Sequence, residues 1–167
     1  MSFLRRQSKH NRMMHKQQGY TLIEAIIVVL ILSSLVAVAM PNYLAWLHRY
    51  RLQSAAASMT NHFHAARLRS IFTGVNYQIQ LKQAGAGNYY QVVEDPGGKD
   101  VVVPSIGRIV LHNQFGNVQI QEIPASGRIT FTPRGTSTEA TVLLENARKA
   151  RVQIVVNSFG RVTYEYL

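Results

Sequence analysis

The chain has 167 residues, a formal net charge of +10 and no cysteine. That length leaves room for one domain beyond a targeting segment, and the missing cysteines exclude a disulfide framework. The charge is unevenly placed. Arg5, Arg6, Lys9, Arg12 and Lys16 lie in the first 19 residues, which hold no Asp or Glu. The rest of the chain keeps 13 basic against eight acidic residues, a balance of +5. Only that remainder bears on a nucleic-acid or anionic-surface partner.

An apolar run follows the basic segment, and no charged residue occurs from Ala25 to Met40. The positive-inside rule keeps such a basic leader in the cytoplasm. An ordinary secretory signal places its small-residue cleavage site after the apolar core. Here Gly19 precedes it, so a cut at Gly19 removes the leader and leaves the apolar segment attached. Tyr20 to Met40 would span roughly 30 Å at about 1.5 Å per residue, one hydrocarbon core. Glu24 stands just inside the start of this run. A charge near the bilayer centre costs about 2.5–3.5 kcal/mol, and less near an interface. A cut between Gly19 and Tyr20 would give Tyr20 an α-amine, and residues four apart share a helical face. Glu24 is then neutralised by that amine, its own or a neighbouring subunit's, or it is an interfacial residue that reaches headgroup water. The apolar window alone leaves both readings open.

Gly19-Tyr20-Thr21-Leu22-Ile23-Glu24, after a basic leader and before an uninterrupted apolar run, resembles the prepilin peptidase site of type IV pilins and type II secretion pseudopilins. The resemblance implies cleavage after Gly19 by a prepilin peptidase and methylation of the new N-terminus at Tyr20. It also implies that Glu24 registers each subunit against its neighbour in a helical filament. Pro41 matches the proline that commonly interrupts the first helix of these proteins. Tyr20 departs from the pattern, which most often has phenylalanine. Many major pilins close a C-terminal loop with a disulfide, and a chain without cysteine cannot.

After Pro41 the pattern is amphipathic. Leu52, Ala55, Ala56, Met59, Phe63 and Ala66 recur at steps that mark one apolar helical face. Gly74 supplies a C-terminal cap near Thr73, so one helix is expected from Tyr20 to Thr73, with a kink or local melt at Pro41. From Val75 the period becomes two, as in Val75, Tyr77, Ile79 and Leu81, which argues for a half-buried strand. Gly85-Ala86-Gly87-Asn88 and Asp95-Pro96-Gly97-Gly98 read as turns. Further strands are expected at Tyr89–Glu94, Arg108–His112, Val118–Ile123, Arg128–Thr132, Ala140–Glu145, Arg151–Asn157 and Arg161–Tyr166. The fold class is therefore α+β, a long N-terminal helix packed on antiparallel β-sheet. Its expected divisions are a cleaved leader (1–19), a transmembrane and assembly helix (20–41) and an extracytoplasmic domain (42–167).

Gly-Arg precedes a β-branched residue three times, at Gly107-Arg108-Ile109, Gly127-Arg128-Ile129 and Gly160-Arg161-Val162. The irregular spacing excludes a repeat architecture, and the first two read as turns that open strands. The third belongs to a set, with Ala66-Arg67, Ile71, Phe131-Thr132-Pro133-Arg134-Gly135 and Ile154-Val155-Val156-Asn157, that resembles the GspH/FimT family of minor pilins and pseudopilins. The FimT branch includes DNA-binding minor pilins whose site resembles Gly-Arg-x-Arg near the C-terminus. Gly160 and Arg161 match; Thr163 replaces the second arginine, and Glu165 follows. Arg148, Lys149 and Arg151 offer a substitute basic patch, although a solvated hairpin tip accounts for that run at least as well. Two arginines neutralise two phosphates, and one beside a carboxylate does so poorly.

No GxSxG elbow, Walker loop, HExxH or CxxC motif is present. His62 and His64, two apart on a helix, point to different faces and make a poor metal pair. His48 and His112 are isolated. Asp95 and Asp100 flank a glycine-rich turn with too few ligands for a tight calcium site. The sequence thus points to no enzyme and no cofactor. The resemblance implies a subunit anchored in the bacterial inner membrane, and the basic leader places its N-terminus in the cytoplasm and its domain outside. The resemblance implies assembly with other pilin or pseudopilin subunits into a type IV pilus or type II secretion pseudopilus, as an initiating or tip component. A DNA-uptake module is the alternative, and a membrane-anchored protein that never polymerises is the third reading.

Overall fold

The computed structural model describes residues 21–83, 88–95, 97–104 and 106–167. Gly19 and Tyr20 lie outside the described residues, as do most of the turn expected at Gly85–Asn88 and Pro96 of the next one. One helix, α1, runs Leu22–Thr73. Thr21 starts it, because the Glu24 N–H donates to Thr21 Oγ1 at 3.3 Å and to its carbonyl oxygen at 3.1 Å. Gly74 ends it at φ +70°, donating its N–H to the Ser70 carbonyl at 3.1 Å. That left-handed conformation suits a residue without Cβ. Pro41 lies inside α1. The melt considered from its missing N–H does not occur: helical backbone continues on both sides, and Pro41 simply cannot donate to Ala37.

The chain divides at Pro41 into two compact units. In the first, the described side chains from Thr21 to Pro41 are exposed, and that half of α1 is long and apolar enough to cross a membrane. The second unit is Asn42–Leu167. Here α1 buries Leu52, Ala55, Ala56, Met59, Phe63 and Ala66, the face expected from the spacing. The alanines let the helix backbone approach the strands, and the larger residues fill the layer between.

The strands form two antiparallel sheets. In one, β1 (Asn76–Lys82) lies between β2 (Tyr89–Asp95) and β6 (Arg128–Phe131), and β2 also pairs β3 (Val101–Val102) and β4 (Arg108–Val110). The other has the order β5 (Gln119–Glu122), β7 (Ala140–Glu145), β8 (Arg151–Val156), β9 (Val162–Tyr166). Registers Ile79↔Val92, Ile79↔Ile129 and Val142↔Ile154 bring buried residues opposite one another. One hydrophobic cluster joins α1 to both sheets; Phe63 meets Phe131 with ring centroids 6.4 Å apart.

Two details depart from the sequence expectation. The short strand β3 was not expected. The strand expected over Arg108–His112 stops at Val110, and Leu111–Phe115 forms a short helix, α2. Leu111 is fully buried and donates its N–H to the Asn88 carbonyl at 3.2 Å. Burying that side chain turns the chain inward, and Gly116 at φ +54° closes the turn.

Candidate functional site

Glu24 is the third residue of α1 and is exposed. Thr21 as cap with a glutamate three positions on has the sequence form of a capping box, a signal the apolar-window reading passed over. A carboxylate in the first turn of a helix is favoured by the macrodipole by about 0.3–1 kcal/mol. The start of α1 thus offsets part of the cost that makes Glu24 unusual in an apolar run. Its expected counter-charge, the Tyr20 amine, lies outside the described residues.

Arg161 stands at one end of the domain. Gly160 closes the β8–β9 turn at φ +72°, donating its N–H to the Asn157 carbonyl at 2.9 Å. This turn packs on a second, in which the Gly135 N–H donates to the Thr132 carbonyl at 2.9 Å. Arg67 of α1 joins them: Nε donates to the Gly135 carbonyl at 3.0 Å and Nη2 to the Phe159 carbonyl at 3.1 Å. Ser70 adds a hydroxyl bond to the Thr132 carbonyl at 3.0 Å. The Ala66-Arg67, Phe131–Gly135 and Asn157–Arg161 stretches therefore meet at one place. The two turns leave Arg134 and Arg161 exposed. Arg134, next to Gly135, is a basic residue of this end that the Gly-Arg-x-Arg comparison did not weigh.

Arg148, Lys149 and Arg151 are elsewhere. Arg151 opens β8 and Arg161 follows the turn at its far end. The length of the strand, about 20 Å at ~3.3 Å per residue, therefore separates them, so the two basic features considered together for DNA do not form one patch. The 148–151 run is the β7–β8 hairpin tip, as the plainer reading had it. Asn146 Oδ1 builds the turn by accepting from the N–H groups of Arg148 (2.9 Å) and Ala150 (3.1 Å). Asn146 Nδ2 ties it to the His48 carbonyl of α1 at 3.2 Å. Glu145, whose side chain is 4% exposed, accepts from Lys149 Nζ at 2.8 Å and Arg151 Nε at 2.9 Å. The Lys149 ammonium, and then Arg151, hold its carboxyl below the usual range.

Three further candidates, His62, Asp95 and Asp100, have side-chain partners. His62 Nδ1 meets the Tyr90 hydroxyl at 2.7 Å. Burial lowers the His62 pKa and raises that of Tyr90, which favours neutral forms of both. Asp95 and Asp100 accept from the Gln78 and Gln80 side chains at 3.0 and 2.8 Å. Among the described residues, no group of three His, Cys, Asp or Glu is placed to hold a metal ion.

Comparison with known proteins gives the geometry a family. Residues 14–40 match the prokaryotic N-terminal methylation motif, and residues 55–160 match the type II transport protein GspH. A search of curated protein sequences gives no match. Among solved structures, the minor pseudopilin EpsH from the type 2 secretion system of Vibrio cholerae is similar with a TM-score of 0.53. It is 9% identical, over 70% of this chain and 97% of that one. The type IV minor pilin FimU of Pseudomonas aeruginosa is similar with a TM-score of 0.54. It is 22% identical, over 72% of this chain and 92% of that one. The methylation motif ends with the apolar half of α1, and the GspH match begins at the buried face of its second half and closes at Gly160, beside Arg67 and Gly135. The chain belongs to the family of the type II transport protein GspH, carries the prokaryotic N-terminal methylation motif, and shares its fold with these pilin-like structures.

Proposed function

We propose that the chain is cut after Gly19, methylated at Tyr20 and assembled from the inner membrane into a pilus or pseudopilus as an initiating or tip component. Its N-terminus before processing is cytoplasmic and its domain lies outside. The observation that carries this reading is the uncharged half of α1 from Ala25 to Met40. It is exposed along its length and preceded by Glu24 in the first turn. Such a surface is covered by lipid before assembly and by like helices after it, and Glu24 can then meet the N-terminal amine of a neighbour. The test is to isolate surface filaments or pseudopili, look for this chain by mass spectrometry and sequence its N-terminus. Its presence at low abundance, starting at Tyr20, is the expected result. Its absence from filaments, or a start at Met1 or beyond Met40, overturns the proposal.

A second reading is DNA binding, supported by the exposed Arg134 and Arg161 on adjoining turns. Arg134 partly compensates for the arginine missing at Thr163. The hairpin residues Arg148, Lys149 and Arg151 stay in this reading only as a separate, weaker patch, because Glu145 already pairs two of them.

A further inference from the structure

The domain begins on α1 with an exposed aromatic ladder. Tyr43, Trp46 and Tyr50 are spaced three and four apart, and they are 55%, 56% and 53% exposed. Their rings contact in series, with centroids 6.1 Å apart for Tyr43 and Trp46 and 5.3 Å for Trp46 and Tyr50. The face that α1 buries from Leu52 onward lies on the other side of the helix by the 100° step per residue. Among the described residues the ring contacts of the ladder are with one another, and about half of each of the three side chains stays exposed.

The same end of the domain is basic. Arg49 is exposed on α1 beside Trp46, and the hairpin tip with Arg148, Lys149 and Arg151 is tied to this part of α1 through Asn146 and the His48 carbonyl. A cleft of about 430 Å³ between them is lined by Arg49, Gln53, Ala150, Arg151, Tyr166 and Leu167. Tyr166 and Leu167 are 56% and 70% exposed. Glu145 pairs with Lys149 and Arg151 and is buried beneath them.

We propose that this end of the domain is a membrane-interface collar that seats on an anionic phospholipid surface and fixes the depth of the subunit before assembly. The inference rests on the membrane reading of α1 given above. Along the sequence, the uncharged run from Ala25 to Met40 ends three residues before Tyr43, so the ladder directly follows the segment read as crossing the hydrocarbon core. The ladder itself rises about 10 Å, enough to run from the hydrocarbon edge through one headgroup layer. Tyr and Trp favour that layer because their rings are apolar and their O–H and N–H groups are not. Arginines beside them draw the collar toward anionic headgroups. Ring ladder, basic rim and adjoining apolar run together fit a lipid surface better than a protein or nucleic acid.

The chain supplies its own probe, because Trp46 is the single tryptophan. Full-length protein is reconstituted into vesicles of phosphatidylcholine, with or without phosphatidylglycerol, that carry spin-labelled lipids. One label sits near the headgroup and the other at mid-chain. Flotation with the vesicles tests the membrane reading, and a chain that does not float overturns both proposals. In floating protein, Trp46 emission should shift to the blue, and the shallow label should quench it roughly twofold more than the mid-chain label, as expected for an interfacial ring. Phosphatidylglycerol should strengthen the shallow quenching in wild type and not in a double Arg49→Gln, Arg148→Gln variant. Tyr43→Ala with Tyr50→Ala, which removes exposed rings only, should leave domain melting unchanged and weaken the shallow quenching. Floating protein whose Trp46 is quenched by neither label, or more by the mid-chain label, overturns the collar while α1 still spans. Trp46 that is open to iodide in vesicles and shielded only in filaments assigns the ladder to a neighbouring subunit and likewise overturns it.

Discussion

Arg67 and Gly135 lie 68 positions apart in the chain, yet Arg67 Nε donates to the Gly135 carbonyl at 3.0 Å. The same guanidinium reaches Phe159, so one helical side chain holds the turn before β7 and the turn after β8. Gly160 lies under that bond. A Cβ there would collide with the Gly135 carbonyl oxygen and stand 2.7 Å from Arg67 Nε, at a φ of +72°. Gly160→Ala should therefore cost about 1–3 kcal/mol for the backbone conformation and a similar amount for the collision. Arg67→Met keeps the stem and loses both bonds, which should cost about 2 kcal/mol. Thermal or urea unfolding of the two variants measures this. A Gly160→Ala domain as stable as wild type would mean that the two turns do not pack as described.

The place of Glu24 in the first turn of α1 and its proposed assembly contact can be tested separately. Glu24→Gln and Glu24→Val should both enter membranes at least as well as wild type, since each removes a charge from the apolar run. Both should be depleted from filaments. Thr21→Ala, which weakens the cap by about 1 kcal/mol, should leave incorporation near normal. Quantitative mass spectrometry of filaments compares all three. If Glu24→Gln assembles like wild type, the charge is dispensable and the cap is the main role of the residue.

Acid should weaken the domain in two windows. Folding lowers the His62 pKa by burial, so the unfolded chain binds that proton more readily. Stability should then fall as pH drops below about 6.5, the unfolded value, and level off below the lowered folded value. Glu145 is also lowered, by Lys149 first and Arg151 second. Its contribution is present above the unfolded carboxylate range near ~4.3 and is lost as pH falls through the folded value. Melting temperature against pH should show a decline that starts near 6.5 and is absent in His62→Gln. A wild-type profile flat from pH 7 to 5 would rule out the first window.

For DNA, the test is a salt series. Binding should weaken with a log–log slope of about −0.9 per phosphate neutralised on duplex. Arg134→Ala and Arg161→Ala should each lower affinity, and an Arg148→Ala, Arg151→Ala pair should act independently of them, since β8 separates the two places. Arg67→Ala is no neutral control, because Arg67 holds the turn that presents Arg161. Full-length protein in an uncharged detergent, titrated with labelled duplex at two salt concentrations, gives the slope. Tight binding at physiological salt that depends on Arg161 would raise DNA uptake above filament structure.

Most of the fold was legible because its signals are local. The steps from Leu52 to Ala66 give the buried helical face, the alternation from Val75 to Leu81 gives β1, and Gly74 gives the end of α1. The helix α2 was not legible, since five residues are too few to show a helical period and burial of Leu111 decides it. The site divided in the same way. Glu24 stands out because a charge interrupts an apolar run. The Arg67 bonds join residues 68 and 92 positions apart, and no spacing rule connects those. Arg151 and Arg161 are near in sequence and far in space because the chain between them is extended, which residue counts alone conceal.

The sheet of β5, β7, β8 and β9 has a consequence for how the domain acquires its structure. β7, β8 and β9 are consecutive hairpins with short turns, so their pairing closes small loops at low entropic cost. The β1–β6 pairing instead joins Tyr77 to Phe131, and the bonds from Arg67 close still longer loops. The topology orders the events: the C-terminal meander forms early as a local unit, and the long-range closure onto α1 comes last. In a chain that emerges N-terminus first, the helix must wait, its apolar face uncovered, for the segment made last. Pulse-labelled hydrogen exchange should show β8 amides protected before those of β6, and the reverse order would contradict this sequence of events.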